Sequence, residues 1–96
     1  MKYTDLKKLR LKFDEDNIEK FKEKNMIKVK DKRTRLNKNG VYEVYPLAVD
    51  NKHVYVVCPY CYDIHIHGRV EEADGTYGSR SPHCRSKNNN DYYIKK

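Results

Sequence analysis

One stretch decides how this sequence folds: VYVVCPYCYDIHIHGRV, residues 54–70, in which two cysteines three positions apart precede two histidines. Another histidine and the last cysteine follow as neighbours at positions 83 and 84. All three cysteines and three of the four histidines therefore lie between positions 58 and 84. Thiolates at positions i and i+3 can bind one tetrahedral ion from a tight turn, and Pro59 favours such a turn. This crowding predicts a metal centre.

The three cysteines are predicted to bind zinc. Cys58 and Cys61 form the first ligand pair, and Cys84 is the third ligand because no other thiol remains. Buried free cysteines are the alternative, but they leave the crowded histidines unexplained. A redox-active pair is a further alternative, yet it needs a helix N-terminus to lower the thiol pKa. Here the CxxC segment lies between predicted strands, which favours zinc.

The fourth ligand is one of three histidines. His65 and His67 point to the same side of a strand, so their spacing does not rank them firmly. His83 adjoins Cys84, and adjacent residues rarely bind one ion together. We favour His67, which stands beside Gly68 where the chain can turn, and keep His65 and His83 as alternates.

The composition explains why such a chain would need a metal. Ninety-six residues with 38% hydrophobic content fit one small domain with a thin core. Small scaffolds of this kind commonly need a disulfide or a metal as a staple. Three cysteines cannot all pair within one chain, and the sequence shows neither a signal peptide nor a transmembrane run. We therefore expect a cytoplasmic protein with thiolate-bound zinc and no membrane partner.

The N-terminal part of the chain has a helical pattern. Leu6, Leu9 and Phe13 recur at helical spacing, and residues 16–19 have the form of a capping box. Two short helices, or one kinked helix, are therefore predicted over residues 5–25. The apolar and basic residues that follow them alternate, which predicts one short strand.

The C-terminal part has a strand pattern. Segments rich in Val and Tyr, separated by polar turns, predict a small antiparallel sheet that a zinc-ribbon-like site closes. The predicted fold class is accordingly α+β, in a single domain of residues 1–96. Within it, residues 1–40 form a basic helical arm and residues 41–96 a zinc-stapled β half.

Charge is distributed unevenly along the chain. The net charge of +7 lies within residues 1–40, which hold 14 of the 21 Lys and Arg but 7 of the 14 Asp and Glu. Clustered cations neutralise phosphates and release counterions, so this bias predicts a nucleic-acid partner, with DNA favoured. A merely solubilising surface is the alternative. The predicted contacts are Lys28, Lys30, Lys32, Arg33, Arg35, Arg80 and Arg85, with Tyr60 as a ring on which bases stack.

The segments CPYC, HIHG and GSRSPHC together resemble a pattern found in small zinc-binding proteins of phages and other bacterial mobile elements, of the form CPxC, HxHG and GxRxxHC. The matching positions are Cys58, Cys61, His65, His67, Gly68, Gly78, Arg80, His83 and Cys84. The family usually has glycine where this chain has Tyr62. The resemblance covers about residues 54–94 and implies zinc binding. In size and charge the chain is also similar to the small accessory subunit that some mobile elements encode beside a DNA polymerase, where it confers priming.

These features together predict a non-enzymatic, zinc-stabilised, nucleic-acid-binding accessory protein. It would serve DNA replication of a mobile element or phage, as a small subunit of a polymerase or primase or beside a helicase. Three thiolates and one histidine form a closed, electron-rich sphere, so we expect neither catalysis nor a small-molecule substrate. The alternative is a protein-interaction module, or an inhibitor of a host protein, whose zinc is purely structural and whose arm docks through its apolar faces.

Overall fold

Strands dominate the computed structural model, which describes residues 1–13, 15–82, 84 and 90–96. In that part of the chain 42% of the residues are strand and 10% are helical. The helical part consists of α1 (Tyr3–Lys8) and a 3-10 turn at Glu15–Asn17. The strands are β1 (Ile18–Glu23), β2 (Met26–Asp31), β3 (Arg35–Leu36), β4 (Tyr42–Val44), β5 (Pro46–Val49), β6 (His53–Val57), β7 (Ile64–Gly68), β8 (Gly78–Arg80) and β9 (Tyr92–Ile94).

The strands form three small sheets. β1 and β2 make an antiparallel hairpin, and β5, β6 and β7 make an antiparallel meander. The other four strands lie in the order β3-β4-β9-β8, where β4 and β9 run parallel and the remaining pairs run antiparallel. The last strand of the chain is thus an inner strand of its sheet, which brings Tyr92 into the middle of the molecule.

The predicted α+β fold is wrong. The helices expected over residues 5–25 reduce to α1, which at six residues is the longest helix in the described part of the chain. Residues 18–23 are strand where a second helix was expected. The strand predicted to follow is confirmed as β2. The single antiparallel sheet is also wrong, because three sheets form and one of them contains a parallel pair.

The turn of the β1–β2 hairpin explains why the helical pattern misleads. Lys24 and Asn25 have φ angles of 51° and 65°, and the two strands pair directly across them. Two successive left-handed residues define a type I′ turn, whose twist matches that of the strands it joins. Lys-Asn is a weaker signal for this turn than Asn-Gly, so the apolar spacing of Ile18 and Phe21 favoured a helix.

Changing this turn to Asn-Gly should alter the free energy of unfolding in opposite directions for a hairpin and for a helix. The double variant Lys24→Asn/Asn25→Gly is expected to raise the free energy of unfolding by about 1 kcal/mol, because both residues then suit left-handed backbone. In a helix the same change would lower it by about 1 kcal/mol. Urea unfolding measures the difference. Lys22→Asn, which removes the same charge within β1, is the control and should give no gain.

β6 separates two parts of the core, because its side chains alternate between its faces. One cluster joins α1 and the hairpin to the β5–β6–β7 sheet: Tyr3, Leu6, Ile18, Val29, Leu47, Ala48, Tyr55, Val57 and Ile64. The other joins that sheet to the four-stranded one: Val44, Val54, Val56, Cys58, Tyr77, Tyr92 and Ile94. We call the latter the second core. Since Cys58 belongs to it, the predicted metal centre is continuous with packed apolar side chains.

Some apolar residues of the basic arm are buried in the first core cluster. Leu6 and Ile18 are buried in the first cluster, and Phe13 packs against it. Leu9, in contrast, is 45% exposed. Met26, Ile27 and Leu36 are exposed as well, so only part of the apolar surface of the arm is buried in the core. None of the helices in the described ranges is long and apolar enough to cross a lipid bilayer.

Candidate metal centre

The predicted CxxC segment forms a tight turn between β6 and β7. The amide of Cys58 donates to the carbonyl of Asp63 at 2.9 Å, and the amide of Tyr62 donates back to the carbonyl of Cys58 at 3.0 Å. The amide of Tyr60 also points at the Cys58 sulfur, 3.4 Å away. These bonds fix the turn so that the Cys58 and Cys61 side chains face the same space.

Four side chains from three parts of the fold converge at this turn. Cys58 and Cys61 come from the turn itself, His65 from β7, and Cys84 from the connection between β8 and β9. Their ligand atoms all lie within 4.8 Å of one another. The Sγ atoms of Cys58 and Cys84 are 3.9 Å apart, and Cys61 Sγ lies 3.3 Å from His65 Nε2. This Cys3His cluster can hold a metal ion, so the predicted metal centre is supported together with all three cysteines.

The cluster contains one of the two alternates for the fourth ligand, His65, and not the favoured His67. His67 is buried, and its Nε2 lies 2.5 Å from the hydroxyl of Tyr92. His83, the other alternate, lies outside the described residues.

The Tyr92 hydroxyl contacts both histidines on this side of β7, and its contacts suggest a different role for each. Its hydroxyl lies 3.2 Å from His65 Nδ1 as well as 2.5 Å from His67 Nε2. If His65 Nε2 binds a metal, Nδ1 carries the ring proton and donates it to the Tyr92 oxygen, which in turn donates to His67. Such an outer hydrogen bond fixes the tautomer and orientation of a metal-binding imidazole. In that arrangement His67 would hold Tyr92 in place, and Tyr92 would orient His65.

Removing the Tyr92 hydroxyl is expected to weaken metal binding while the fold persists. Tyr92→Phe keeps the ring, which is fully buried in the second core, but leaves His65 Nδ1 without its acceptor. Loss of an outer-shell partner typically lowers metal affinity by about 10- to 100-fold. Competition with a chelating dye measures this affinity. Tyr93→Phe is the matched control, because the Tyr93 hydroxyl binds Asp74 and Thr76 away from the site; equal losses in both variants would contradict the assignment.

The cysteines also affect one another's protonation. Hydrogen bonding to Cys58 and, after it, to His65 lowers the pKa of Cys61 to about 3. The same contact with Cys61, together with burial, raises the pKa of Cys58. Cys61 is thus the thiol of the pair that loses its proton more easily, as binding to a cation requires.

Tyr62 adopts a left-handed backbone conformation at the end of the metal-binding turn. Its φ is 62°, a left-handed conformation that glycine adopts most easily. The tyrosine in place of glycine is held by packing. Its ring makes an edge contact with Phe21 at 5.5 Å, and the ammonium of Lys30 lies 5.3 Å from the ring centroid. The β1–β2 hairpin therefore lies directly against the metal-binding turn, an arrangement that the sequence did not reveal.

Three of the predicted nucleic-acid contacts bind the protein itself. The ammonium of Lys28 donates to the carbonyl of Cys61 at 2.9 Å. Arg33 forms a two-pronged ion pair with Asp31, at 2.7 and 3.0 Å. Arg80 donates to backbone carbonyls of the segment that precedes it. All three cations thus have structural partners.

The other predicted contacts differ in exposure. Lys30 and Lys32 are exposed. Arg35 pairs with a glutamate on β4 at 3.0 Å but keeps 72% of its side chain exposed. Tyr60 is half-buried against the second core, and Arg85 lies outside the described residues. Of the predicted basic cluster, Lys30, Lys32 and Arg35 are therefore the exposed members.

Comparison with known proteins leaves the chain without an identified relative. No protein-family model matches it, and neither does a curated protein or a solved structure. The resemblance to proteins of phages and mobile elements therefore stays a prediction. The function has to be inferred from the geometry of the site and from the distribution of charge.

Proposed function

We propose that this chain is a small non-enzymatic protein that zinc holds together and that binds nucleic acid, DNA above all. The spacing of the ligand atoms supports zinc. Tetrahedral zinc, with Zn–S bonds of about 2.3 Å and Zn–N bonds of about 2.0 Å, separates two sulfurs by about 3.8 Å and a sulfur from a nitrogen by about 3.5 Å. The corresponding distances are 3.9 Å for Cys58 and Cys84 and 3.3 Å for Cys61 and His65.

The donor set favours a structural role for the ion. Three thiolates and one imidazole fill a tetrahedral sphere and leave no position for a water or a substrate. With Zn²⁺ the centre would carry a net charge of about −1, and the Lys28 ammonium lies close enough to offset it. The ion would tie the β6–β7 turn to the connection between β8 and β9. The donor set thereby supports a structural ion that links two sheets, rather than a catalytic ion.

The exposed lysines of the hairpin support nucleic-acid binding. They are Lys20, Lys22, Lys24 and Lys30, and Lys32 follows directly after β2. Two glutamates on β1 reduce this positive charge without cancelling it. A two-stranded ribbon that carries several exposed ammonium groups can follow a phosphate backbone, with affinity that is independent of sequence and sensitive to salt. The observation that carries this half of the proposal is the concentration of the whole net charge, +7, in residues 1–40.

Fluorescence anisotropy with labelled single- and double-stranded DNA across a salt series tests the proposal. The logarithm of the binding constant should fall linearly with the logarithm of salt concentration, by about 0.7 to 0.9 per phosphate neutralised. The double variant Lys30→Glu/Lys32→Glu should bind more weakly and with a shallower slope. Lys52→Glu/Lys38→Glu changes the same charge at two other exposed positions, and it should retain more of the affinity.

Two outcomes would contradict this assignment. If the zinc-loaded protein fails to bind either DNA at low salt, nucleic-acid binding is not an activity of this chain alone. If the two double variants lose affinity equally, net charge rather than the hairpin surface governs binding. Charge reversal at Arg33 is unsuitable for this test, because it would break the contact with Asp31 and so disturb folding.

We propose further that the protein acts in the cytoplasm as an accessory to a polymerase or helicase that replicates a mobile element or phage. The sequence resemblance supports this role, and among the described residues the three cysteines form no disulfide, as expected in a reducing compartment. Primer synthesis by a polymerase encoded beside this chain, assayed with and without the chain, tests it. No change in primer synthesis would contradict it.

A further inference from the structure

A cleft of about 180 Å³ lies where the β1–β2 hairpin meets the metal-binding turn. Tyr42 of β4 and Tyr62 of the turn provide aromatic walls, and Val57 and Pro59 provide apolar surface between them. Lys30 and Thr34 add an ammonium and a hydroxyl at its polar side. We call this space the tyrosine cleft.

The aromatic walls of the tyrosine cleft are held in place. Tyr42 makes an edge contact with Tyr60, with ring centroids 5.5 Å apart, and Tyr62 makes one with Phe21 at the same separation. Each pair stabilises ring orientation beyond simple burial. Rings that are already fixed lose little conformational entropy when a planar ligand stacks on them.

The charge around the tyrosine cleft suits a phosphate-linked ligand. Lys30 is exposed, and its ammonium lies over the Tyr62 ring, 5.3 Å from the centroid, so a group bound at this ring would have a cation within reach. Asp31 also lines the cleft, but Arg33 pairs with both of its carboxylate oxygens, which offsets the negative charge. An aromatic surface next to an exposed cation is the combination with which proteins bind single strands, stacking the base and neutralising the phosphate.

We propose that the tyrosine cleft receives one unstacked base of a single-stranded nucleic acid, with Lys30 on the adjoining phosphate. This inference rests on the nucleic-acid binding proposed above and names the part of the strand that the site recognises. A paired duplex keeps its bases within the stack and cannot fill the cleft. The protein should therefore prefer single strands, with little dependence on which base is present, because every base has an aromatic face.

The test compares an oligothymidylate with an abasic strand of the same length and charge, using the full chain loaded with zinc. Stacking of one base predicts binding of the base-bearing strand that is about tenfold tighter, or more. Tyr62→Leu should remove this advantage, so that the variant binds the two strands equally. Tyr93→Leu, on a ring outside the cleft, should preserve the advantage. Tyr42→Leu repeats the test should Tyr62→Leu fail to fold, which zinc stoichiometry and circular dichroism would reveal.

The outcomes separate this inference from the broader proposal. Equal binding of the two strands would overturn the tyrosine cleft as a base site and leave phosphate-driven binding intact. An advantage that survives both cleft variants would place base stacking elsewhere and overturn it as well. If neither strand binds at low salt, the proposed nucleic-acid binding fails and the inference fails with it.

Discussion

Removal of the metal is expected to unfold the half of the molecule that surrounds Cys58. Structural zinc contributes about 10–16 kcal/mol of binding free energy at neutral pH, whereas whole domains are stable by about 5–15 kcal/mol. A core as thin as this one has little stability to lose. Because the Cys58 side chain is fully buried among the valines and tyrosines of the second core, releasing the ion would also loosen the packing around it.

Circular dichroism and one-dimensional NMR during titration with a chelator would show this unfolding, and added zinc should reverse it. Cys84→Ser should resemble the chelated protein, since Cys84 is the ligand that ties the β8–β9 connection to the turn. His53→Ala is the matched control, because His53 is an exposed histidine at the start of β6, away from the ligands. A chain that keeps its dispersed spectrum without metal would contradict the role of the centre as a staple.

The same titration distinguishes the two histidines of β7. Cobalt in place of zinc reports tetrahedral thiolate coordination through its visible absorption. His65→Ala should remove a direct ligand and change that spectrum, whereas His67→Ala should lower affinity with the spectrum largely kept. The reverse result would restore His67 as the ligand. The expected difference follows from the 3.3 Å between His65 Nε2 and Cys61 Sγ, set against the bond of His67 to Tyr92.

More of the candidate metal centre than of the fold could be predicted from the sequence, because the residues of the centre are chemically distinctive. Three cysteines in one small chain leave no choice among thiols, so the sulfur ligands follow from the sequence. The fourth ligand does not, because strand alternation puts His65 and His67 on one side. What separates them is Tyr92, which is distant in sequence and reaches β7 only because β9 lies inside its sheet. That placement depends on tertiary structure.

The basic arm was harder to predict for a related reason. Its apolar residues are sparse enough to fit a helical face or an alternating strand, and the choice depends on two turn residues, Lys24 and Asn25. Its cations were grouped by sequence alone, which cannot show that Lys28 reaches a carbonyl of the metal-binding turn. Local patterns give the charge of a segment correctly, but they do not show which charges are already paired.

Arg33→Ala is expected to be the most destabilising change in the basic arm, with a cost of about 3 kcal/mol. The side chain of Asp31 is 1% exposed, and that of Arg33 is 29% exposed. Arg33 also donates to the carbonyl of Pro46 at 3.2 Å, and its guanidinium lies 5.2 Å from the Tyr45 ring centroid. Removing the arginine would leave a buried carboxylate without its charge partner. This costs more stability than replacing both charged residues by uncharged ones.

Urea unfolding in excess zinc measures this cost. Arg35→Ala is the matched control: it breaks an ion pair of 3.0 Å, but its side chain is 72% exposed, so the loss should be about 0–1 kcal/mol. The double variant Asp31→Asn/Arg33→Met should recover part of the stability, because no unpaired charge then remains buried. Equal costs for Arg33→Ala and Arg35→Ala would contradict the structural role of Arg33. A large difference would mean that weak DNA binding by an Arg33 variant results from a destabilised hairpin. Phosphate contacts would then have to be assigned with variants of the exposed lysines.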